Sequence, residues 1–371
     1  MKNPLNILLS FCLLFTNIAS INANSFTKVS ELGSSPTLTF GSRLAPDTEC
    51  AIISSPSSDR RPDKSSFKIM QYNVEWLFVD YYSEADCPGS QCTWKNQSEA
   101  ITHLEYVANV IKEINPDIIN LCEVEGCDEL NMLSSDLTSG YISYLKQGAD
   151  TATGQNAGML TRIDPKVNLY RTDERYNYPI AGSKCGYTGA AGSSGVSKHY
   201  ITEFEWYNTN VAFIGAHLLA YPTDAARCVQ REAQAQILQN IIAGYIKKDY
   251  EIIIMGDFND FDGEIIDAND NKPISQVLDI IKGNFGDFSG DYKLYSVAEN
   301  IIKTSRYSDW WDSNDDCSST ATEFSMIDHI LVSDFLRNKI SSAYFYHGYD
   351  EFCGKKNSDH YPLIIELDGN I

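Results

Sequence analysis

Residues 252–260 read IIIMGDFND, an apolar run with a polar end. Four consecutive apolar residues are typical of a strand that is buried on both faces. The run stops at Gly256, and Asp257 and Asn259 follow it. Because side chains alternate along a strand, these two should point the same way at the C-terminal end of the strand. A carboxylate and an amide there can orient a water and hold a phosphoryl oxygen, although both residue types also favour plain turns.

Polar side chains end or interrupt apolar runs at five other places. They are Asn73 and Glu75 after residues 67–72, Glu123 after residues 117–122, His217 after residues 211–214, Asp328 within residues 326–332, and Asp359 and His360 before residues 361–367. Taken singly, each has an ordinary explanation, such as a solvated charge or a hydrogen-bonded core histidine. Asp328 is harder to explain, because a carboxylate inside an apolar strand needs a partner to offset its desolvation. The repetition of the pattern favours one shared site.

The N-terminus has the pattern of a secretory signal peptide over residues 1–23. Lys2 precedes an apolar run from Leu5 to Phe15, and small and polar residues follow up to Ala23. The run is too short to span a bilayer, and residues 367–371 carry no hydrophobic anchor. We therefore expect a secreted or lumenal, soluble product with no integral membrane span.

The chain is strongly acidic, with a formal net charge of −21. This charge argues against broad electrostatic capture of nucleic acid or of an anionic membrane. A bound divalent cation can reverse the sign locally, so a polyanionic substrate stays compatible with the composition.

Nine of the ten cysteines follow the predicted signal peptide. Cys122 lies in an apolar run and is expected to be a buried free thiol. The other eight are expected to form four disulfides in an oxidising compartment: Cys50, Cys87, Cys92, Cys127, Cys185, Cys228, Cys317 and Cys353. Only the pairing of Cys87 with Cys92 is suggested by sequence distance. Residues 96–98, Asn-Gln-Ser, are an N-glycosylation acceptor.

The hydrophobic pattern predicts one domain over residues 67–369, preceded by a poorly structured leader, residues 24–66, that Cys50 ties to the domain. Helices are predicted at 98–114 and 225–245, a loop at 183–197, and strands at 67–74, 117–123, 157–163, 200–207, 210–217, 252–257, 326–332, 340–346 and 361–367. This alternation indicates mixed sheets flanked by helices.

Six segments together resemble one known superfamily. They are QYNVEWL at 71–77, INLCEVEG at 119–126, GAHLLA at 215–220, MGDFND at 255–260, SMIDHILVS at 325–333 and NSDHYPLI at 357–364. In this order the chain resembles the endonuclease/exonuclease/phosphatase superfamily, which includes deoxyribonuclease I, abasic-site endonucleases, sphingomyelinases and inositol-polyphosphate phosphatases. The resemblance implies an α/β fold, a four-layer sandwich of two mixed β-sheets packed face to face with helices outside. It also implies phosphoester hydrolysis with Mg²⁺, Mn²⁺ or Ca²⁺.

The resemblance also implies a role for each polar residue at the strand ends. Glu123 would be the main metal ligand, with Asn73 beside it and with Glu75 and Asp359 bound directly or through water. These hard oxygen ligands suit Mg²⁺ rather than zinc.

The remaining roles concern the attacking water and the phosphate. Asp257 would orient or deprotonate the water, and Asn259 would hold the phosphate. His360, kept in its tautomer by Asp328, would face the scissile phosphate, and His217 would stabilise or protonate on the other side.

Two segments depart from the deoxyribonuclease I pattern. Gln155 and Asn156 stand where that enzyme has the glutamate that supports its histidine, so Asn156 is expected to contact substrate instead. Arg231, in the predicted helix after His217, could reach the phosphate. A surface ion pair with a neighbouring glutamate explains Arg231 equally well.

The leading hypothesis is therefore a secreted, monomeric, metal-dependent phosphodiesterase that acts on DNA or RNA. A second hypothesis keeps this chemistry and changes the substrate to a phospholipid such as sphingomyelin, or to a small phosphorylated molecule. A non-catalytic binding module is the third. Such a module would be expected to lack Glu123, Asp257 or one histidine, and all are present.

Overall fold

The computed structural model describes residues 50, 58–79, 93–312, 314, 316–318, 320–349, 357–369 and 371. The predicted signal peptide, most of the predicted leader and the suggested Cys87–Cys92 pair lie outside these residues. The strands are β1 (Ser66–Leu77), β2 (Ile118–Val124), β3 (Ile142–Leu145), β4 (Asn156–Thr161), β5 (Arg175–Tyr178), β6 (Gly192–Gly195), β7 (Lys198–Trp206), β8 (Thr209–His217), β9 (Glu251–Asp257), β10 (Tyr295–Ser296), β11 (Asp309–Trp310), β12 (Phe324–Ser325), β13 (Asp328–Val332), β14 (Ile340–Phe345) and β15 (Leu363–Asp368). The helices are α1 (Gln97–Ile114), α2 (Cys127–Asp136), α3 (Ala225–Ile246), α4 (Val277–Lys282) and α5 (Asp334–Arg337).

Two mixed sheets form the centre of the fold. The first has six strands in the order β14-β15-β1-β2-β4-β3, and the second has five in the order β10-β13-β9-β8-β7. Each contains one parallel pair, β1 with β2 and β8 with β9, among antiparallel neighbours. Side chains from both sheets, among them Phe67, Met159, Phe213 and Ile365, share one buried core. The sheets therefore pack face to face.

Helices cover the outer face of each sheet. Leu104 and Val107 of α1 pack with Leu121 of β2, and α2 adds Leu130. On the other side, α3 and α4 pack against the second sheet through a separate cluster that includes Leu238. The order helix, sheet, sheet, helix confirms the predicted four-layer sandwich.

Strand β9 shows how the apolar run produces these layers. Ile253 and Met255 belong to the core between the sheets, and Ile252 and Ile254 belong to the cluster under the helices. Both faces of the strand are buried, so apolar residues are needed at consecutive positions. Asp257 continues the series that faces between the sheets.

The predicted loop at 183–197 is partly wrong, because Gly192–Gly195 forms β6 and pairs with β5. The ladder uses only backbone N–H and C=O groups, so small residues can form it. A Cβ atom on Gly192 would lie 2.5 Å from the Tyr178 hydroxyl, which explains why glycine suits this pairing. The helix α2 was not predicted, since its ten residues carry a short hydrophobic pattern.

Two disulfides lie within the described residues, Cys50–Cys127 and Cys185–Cys228. The first confirms that Cys50 is tied to the domain. Cys122 is a buried free thiol, as predicted. Among the described helices, none is both long and apolar enough to cross a membrane.

Replacing Phe213 by alanine is expected to lower the free energy of unfolding by about 3–5 kcal/mol, because the cavity would lie between the two sheets. Phe213 is fully buried and contacts the rings of Tyr200, Phe204 and Trp206. Urea unfolding checks this. Ile302→Ala, at a side chain that is 71% exposed, should change stability by less than about 0.5 kcal/mol. Equal effects of the two variants would contradict the sandwich core.

Candidate active site

The candidate site lies where the apolar series between the two sheets gives way to polar residues. On β1 the inward series runs from Ile69 through Gln71 to Asn73, and on β9 it ends at Asp257. Asn73 Nδ2 donates to Asp257 Oδ2 at 3.0 Å, which joins the two sheets directly. The strand ends predicted to share a site therefore meet.

Local backbone irregularities turn two carboxylates toward this point. Strict alternation would place Glu123 on the same face as Leu121, which packs under the helices. Instead, the register of β2 against β4 shifts after Cys122, and Glu123 adopts a left-handed backbone with φ of 68°. Glu75 has a φ of 46° at a similar shift in β1. Such conformations cost energy for non-glycine residues, and they are often found at functional sites.

The four predicted metal ligands lie together. Asn73 Nδ2 donates to Glu123 Oε1 at 3.2 Å, and the backbone N–H of Asp359 donates to Glu75 Oε2 at 3.1 Å. Burial first, and then the neighbouring Asp359 carboxylate, raise the pKa of Glu75 well above its ordinary value. Burial also raises the pKa of Asp359, although its side chain is 46% exposed and water weakens the effect.

This donor set fits a divalent metal ion. The carboxylates of Glu123, Glu75 and Asp359 offer the oxygen ligands that hard divalent cations prefer. Asn73 turns Nδ2 toward Glu123, and its Oδ1 accepts from the backbone N–H of Glu75 at 3.1 Å, so Asn73 would bind the ion with its amide reversed. The carboxylates repel one another at close range, and a cation would relieve this repulsion. Glu123, Asn73, Glu75 and Asp359 are the residues that could hold the ion.

The pair of His360 and Asp328 forms the second part of the site. His360 Nδ1 lies 2.6 Å from Asp328 Oδ2, so the other ring nitrogen, Nε2, faces the site. Nε2 lies 4.0 Å from Asp257 Oδ2 and 3.8 Å from Asp309 Oδ1. Burial alone would lower the pKa of His360, but the carboxylates of Asp328 and then Asp359 outweigh burial and raise that pKa well above its ordinary value. These carboxylates therefore favour the protonated form of His360.

His217 lies on the other side of Asp257 and is neutral. Its Nε2 is 3.5 Å from Asp257 Oδ2 and 3.4 Å from the ammonium of Lys198, which also donates to Gln155 at 3.2 Å. Burial, followed by the charges of Lys198 and His360, lowers the pKa of His217 well below its ordinary value. The two histidines thus differ in charge, which alternation along the strands could not show.

Asp257 lies between the two histidines. Burial first, and then the Asp328 carboxylate, raise the pKa of Asp257 to about 8. The backbone N–H of Asn259 donates to Asp257 Oδ1 at 2.8 Å, and the Asn259 amide donates to the carbonyl of Leu218 at 3.3 Å. Asn259 therefore positions the loop after His217.

Arg231 does not face the site, and neither alternative predicted for it describes its environment. Its side chain is fully buried, and Nε donates to Asp260 Oδ2 at 3.0 Å. Its other nitrogens donate to the carbonyls of residues 219–222. With its donors used in this way, Arg231 cannot reach a phosphate without unfolding its surroundings. It holds the loop after His217 against the loop after Asp257.

Asn156 is similarly occupied. Its amide donates to the carbonyls of Glu125 and Gly154, and its oxygen accepts from the N–H of Gly148 at 2.6 Å. Asn156 therefore positions the neighbouring loops and does not face a substrate as expected. The neighbouring Gln155 contacts Lys198 instead.

Two residues of the site were missed from the sequence. Lys198 pairs across the strands with His217, and this cross-strand pairing was the signal that could have identified it. Asp309 has a backbone bridge to His360 and accepts from Ser325 Oγ at 2.7 Å. It lies in a loop-rich stretch with no apolar periodicity, so the sequence carried no comparable signal for Asp309.

The comparisons with known proteins agree with this geometry. A model of the endonuclease/exonuclease/phosphatase family matches residues 70–360. The chain belongs to this family. Membership confirms the resemblance seen in the sequence and makes the protein a metal-dependent hydrolase of phosphoester bonds. No curated protein matches the chain significantly.

Solved structures share its fold at low sequence identity. A family member from Bacteroides vulgatus is 15% identical with a TM-score of 0.50, covering 81% of this chain and 98% of its own. The 3′ phosphatase NExo from Neisseria, solved with a product DNA hairpin, is 14% identical with a TM-score of 0.52, covering 81% and 99%. A family member from Leptotrichia buccalis is 14% identical with a TM-score of 0.50, covering 81% and 99%. At these identities the likeness shows the fold alone.

Arg231→Ala is expected to destabilise the protein by about 3–5 kcal/mol, because Asp260 would be left as an unpaired buried charge. Urea unfolding measures this loss. As a matched control, Arg337→Ala removes an arginine whose side chain is 36% exposed and should cost less than about 1 kcal/mol. Unchanged stability with a raised KM would instead restore the substrate-binding role for Arg231.

The stabilisation of the fold by a divalent metal ion is expected to grow with pH. In the metal-free protein the folded-state pKa of Asp257, about 8, lies above its ordinary value of 3.8. The contribution of this carboxyl group to the stability of the fold is therefore fully present below about pH 4. That stability is lost as the pH rises through about 8. Asp257 is not one of the four residues that could hold the ion, but it accepts at 3.0 Å from Asn73, which is one of them. A cation bound there would favour the ionised form of Asp257 and reduce this penalty.

Thermal unfolding with Mn²⁺ and with chelator, at about pH 5 and about pH 8.5, tests this dependence. The gain in Tm from metal should be larger at the higher pH, and Asp257→Asn should reduce the difference. An equal gain at both pH values would contradict a carboxylate site for the metal.

Proposed function

We propose that this protein is a secreted phosphodiesterase, dependent on Mg²⁺ or Mn²⁺, that cleaves the backbone of DNA or RNA through a catalytic domain over residues 67–369. The observation that carries this proposal is the arrangement around Asp257. Carboxylate ligands lie on one side of it, and a neutral histidine beside a lysine lies on the other. A phosphodiester fits this arrangement, because its phosphoryl oxygen could bind the metal ion and its leaving oxygen could lie on the side of the lysine.

A role for each residue follows from these contacts. A bound metal ion supplies Lewis-acid polarisation of a phosphoryl oxygen. Asp257 would accept a proton from the attacking water once a bound cation favours its ionised form, and Asn73 and both histidines hold its carboxylate in place. His360, charged and held by Asp328, stabilises negative charge that develops on the phosphate.

The side with His217 would serve the leaving oxygen. His217 is neutral, so Lys198 is the group there that brings positive charge. Gln155 holds the Lys198 ammonium at 3.2 Å without neutralising it, whereas a glutamate there would. These contacts support separate roles, in which His217 orients the leaving oxygen and Lys198 provides the positive charge.

Nucleic acid is the favoured substrate. The Neisseria 3′ phosphatase with this fold was solved with a product DNA hairpin, which shows that this fold can accept DNA in that protein. Lys198 gives the site of an otherwise acidic chain a local cation for a polyanion.

A second candidate substrate is a phospholipid, and one observation favours it. Trp311 is 70% exposed and lies two residues from Asp309, whose carboxylate is 3.8 Å from His360. An exposed tryptophan beside a site suits an interfacial substrate as well as a stacked base.

Hydrolysis by the purified mature protein distinguishes these substrates. Plasmid DNA, RNA and sphingomyelin would be incubated in parallel with Mg²⁺, with Mn²⁺ and with chelator. We expect metal-dependent cleavage of DNA or RNA. Release of phosphocholine, with both nucleic acids intact, would replace the nuclease proposal by the phospholipid one.

Glu123→Gln and His360→Ala are each expected to lower kcat by at least about 10²-fold while the protein stays folded, because both residues act through charge at the site. Kinetics on the best substrate, together with thermal unfolding, check both points. Glu205→Ala, which removes an exposed glutamate paired with Lys166, is the matched control and should retain full activity. Retained turnover in either site variant would overturn the assignment of that residue.

A further inference from the structure

A small cavity with two arginines in its wall lies beside the candidate active site. Its volume is about 120 Å³, and its lining includes Arg171, Thr172, Arg175, Ala149 and Ser197. None of these residues belongs to the catalytic arrangement proposed above. This space is called the two-arginine cavity below.

The cavity and the active site share the same two chain segments. Ser197 immediately precedes Lys198, and the N–H of Ala149 donates to the Ser197 carbonyl at 2.8 Å. Asp150, next along the chain from Ala149, places Oδ2 3.8 Å from the Lys198 ammonium. Strand residues advance about 3.3 Å each, so the cavity wall at residues 195–197 lies within about 10 Å of Lys198 along the chain.

One donor of Arg171, the Nε, lacks an acceptor within the described residues. Its side chain is only 13% exposed, and the buried Nε has no hydrogen-bond partner in the described part of the protein. Its Nη1 lies 2.5 Å from Asp173 Oδ1, on a carboxylate that is 87% exposed. Buried donors are nearly always satisfied, so this Nε is available to a water or to a bound oxyanion.

Arg175 brings a second guanidinium to the same cavity. Its Nε donates to Ser193 Oγ at 3.0 Å, and Nη2 donates to the Ser193 carbonyl. These bonds hold the guanidinium of Arg175 over β6. Its Nη1 lies 3.6 Å from the position that a Cβ atom on Gly195 would occupy. A fixed guanidinium is well suited to oxyanions, because its donors match two oxygens at once.

The histidine next to the cavity carries no charge. Burial first, and then the Arg171 guanidinium, lower the pKa of His199 to about 4, so this histidine stays neutral and accepts from the N–H of Thr172 at 3.1 Å. The acidic groups nearby are Asp173 and Glu174. Asp173 is exposed, and exposed ion pairs contribute little, so an incoming oxyanion can replace it.

We propose that the two-arginine cavity binds a phosphate of the nucleic-acid strand that lies a few nucleotides from the one being cleaved. This proposal rests on the proposed nuclease function and names the path of the strand, from the active site past Lys198 to Arg171 and Arg175. Successive phosphates in one duplex strand advance about 3.4 Å along the axis, so a strand leaving Lys198 reaches the cavity within a few nucleotides.

The first test compares a substrate with several phosphates and one with a single phosphate. Hydrolysis of a single-stranded oligonucleotide and of bis-p-nitrophenyl phosphate would be measured for the wild type and for the double variant Arg171→Ala/Arg175→Ala. We expect the double variant to lose about 10–100-fold in kcat/KM on the oligonucleotide, mainly through KM, and to keep its rate on the small diester. Arg337→Ala is the matched control for loss of arginine charge, and Arg171→Lys should fall between the wild type and the double variant.

Equal losses on both substrates would overturn the proposal, since they would indicate a structural role for the arginines. So would an unchanged kcat/KM on the oligonucleotide.

The second test does not need catalysis. Binding of a fluorescent single-stranded oligonucleotide would be followed by anisotropy at several salt concentrations in chelator. The slope of log K against log salt should fall by about 0.7 for each phosphate contact that the double variant loses. An unchanged slope would overturn the proposal even if the enzyme proved inactive on nucleic acid. If inorganic phosphate displaced the oligonucleotide from the wild type and from the double variant at the same concentration, that result would also contradict a phosphate bound in the cavity.

Discussion

The buried carboxylate of Asp328 is the constraint on which the rest of the site depends. It lies between two sheets, where an unpaired charge is costly, and side chains from two separate segments satisfy it, while a third segment bonds the backbone of the same residue. Gln71 donates to Oδ1 at 3.0 Å, Ser308 Oγ accepts from the Asp328 backbone N–H at 2.9 Å, and His360 bonds Oδ2 at 2.6 Å. Asn120 donates in turn to Gln71. This chain of polar contacts crosses the sandwich, so the position of His360 is set by both sheets together.

The site separates its charges into two sides. Carboxylates that suit a metal ion cluster where β1 and β2 bulge, and the cation Lys198 lies across Asp257 with His217. The buried pair of Arg231 and Asp260 keeps the two loops behind this arrangement at a fixed separation. A region that is acidic overall can thus bind a cation on one side and an anion on the other.

Much of the fold could be predicted because burial requires apolar residues at specific positions in the sequence. The run of Ile252 to Met255 required a strand with two covered faces, and the pattern of Asp328 within an apolar strand required a histidine partner. Glu123 shows the limit of this reasoning. Its side chain reaches Asn73 through a bulge, and alternation alone would have directed it under the helices. Arg231 shows another limit, since its helical position did not reveal that loop carbonyls surround it.

The sequence by itself determined the strands, their polar ends, and the set of oxygen and nitrogen groups available there, because these follow from local periodicity and residue chemistry. The four-layer order was implied by the resemblance of its motifs to a known superfamily. Only the tertiary structure decided the charge of each histidine, the partnership of Lys198 with His217, the approach of Asp309, and the burial of Arg231. These properties depend on distances between residues that lie far apart in the chain. Electrostatic interactions and desolvation vary steeply over such distances, and no local pattern encodes them.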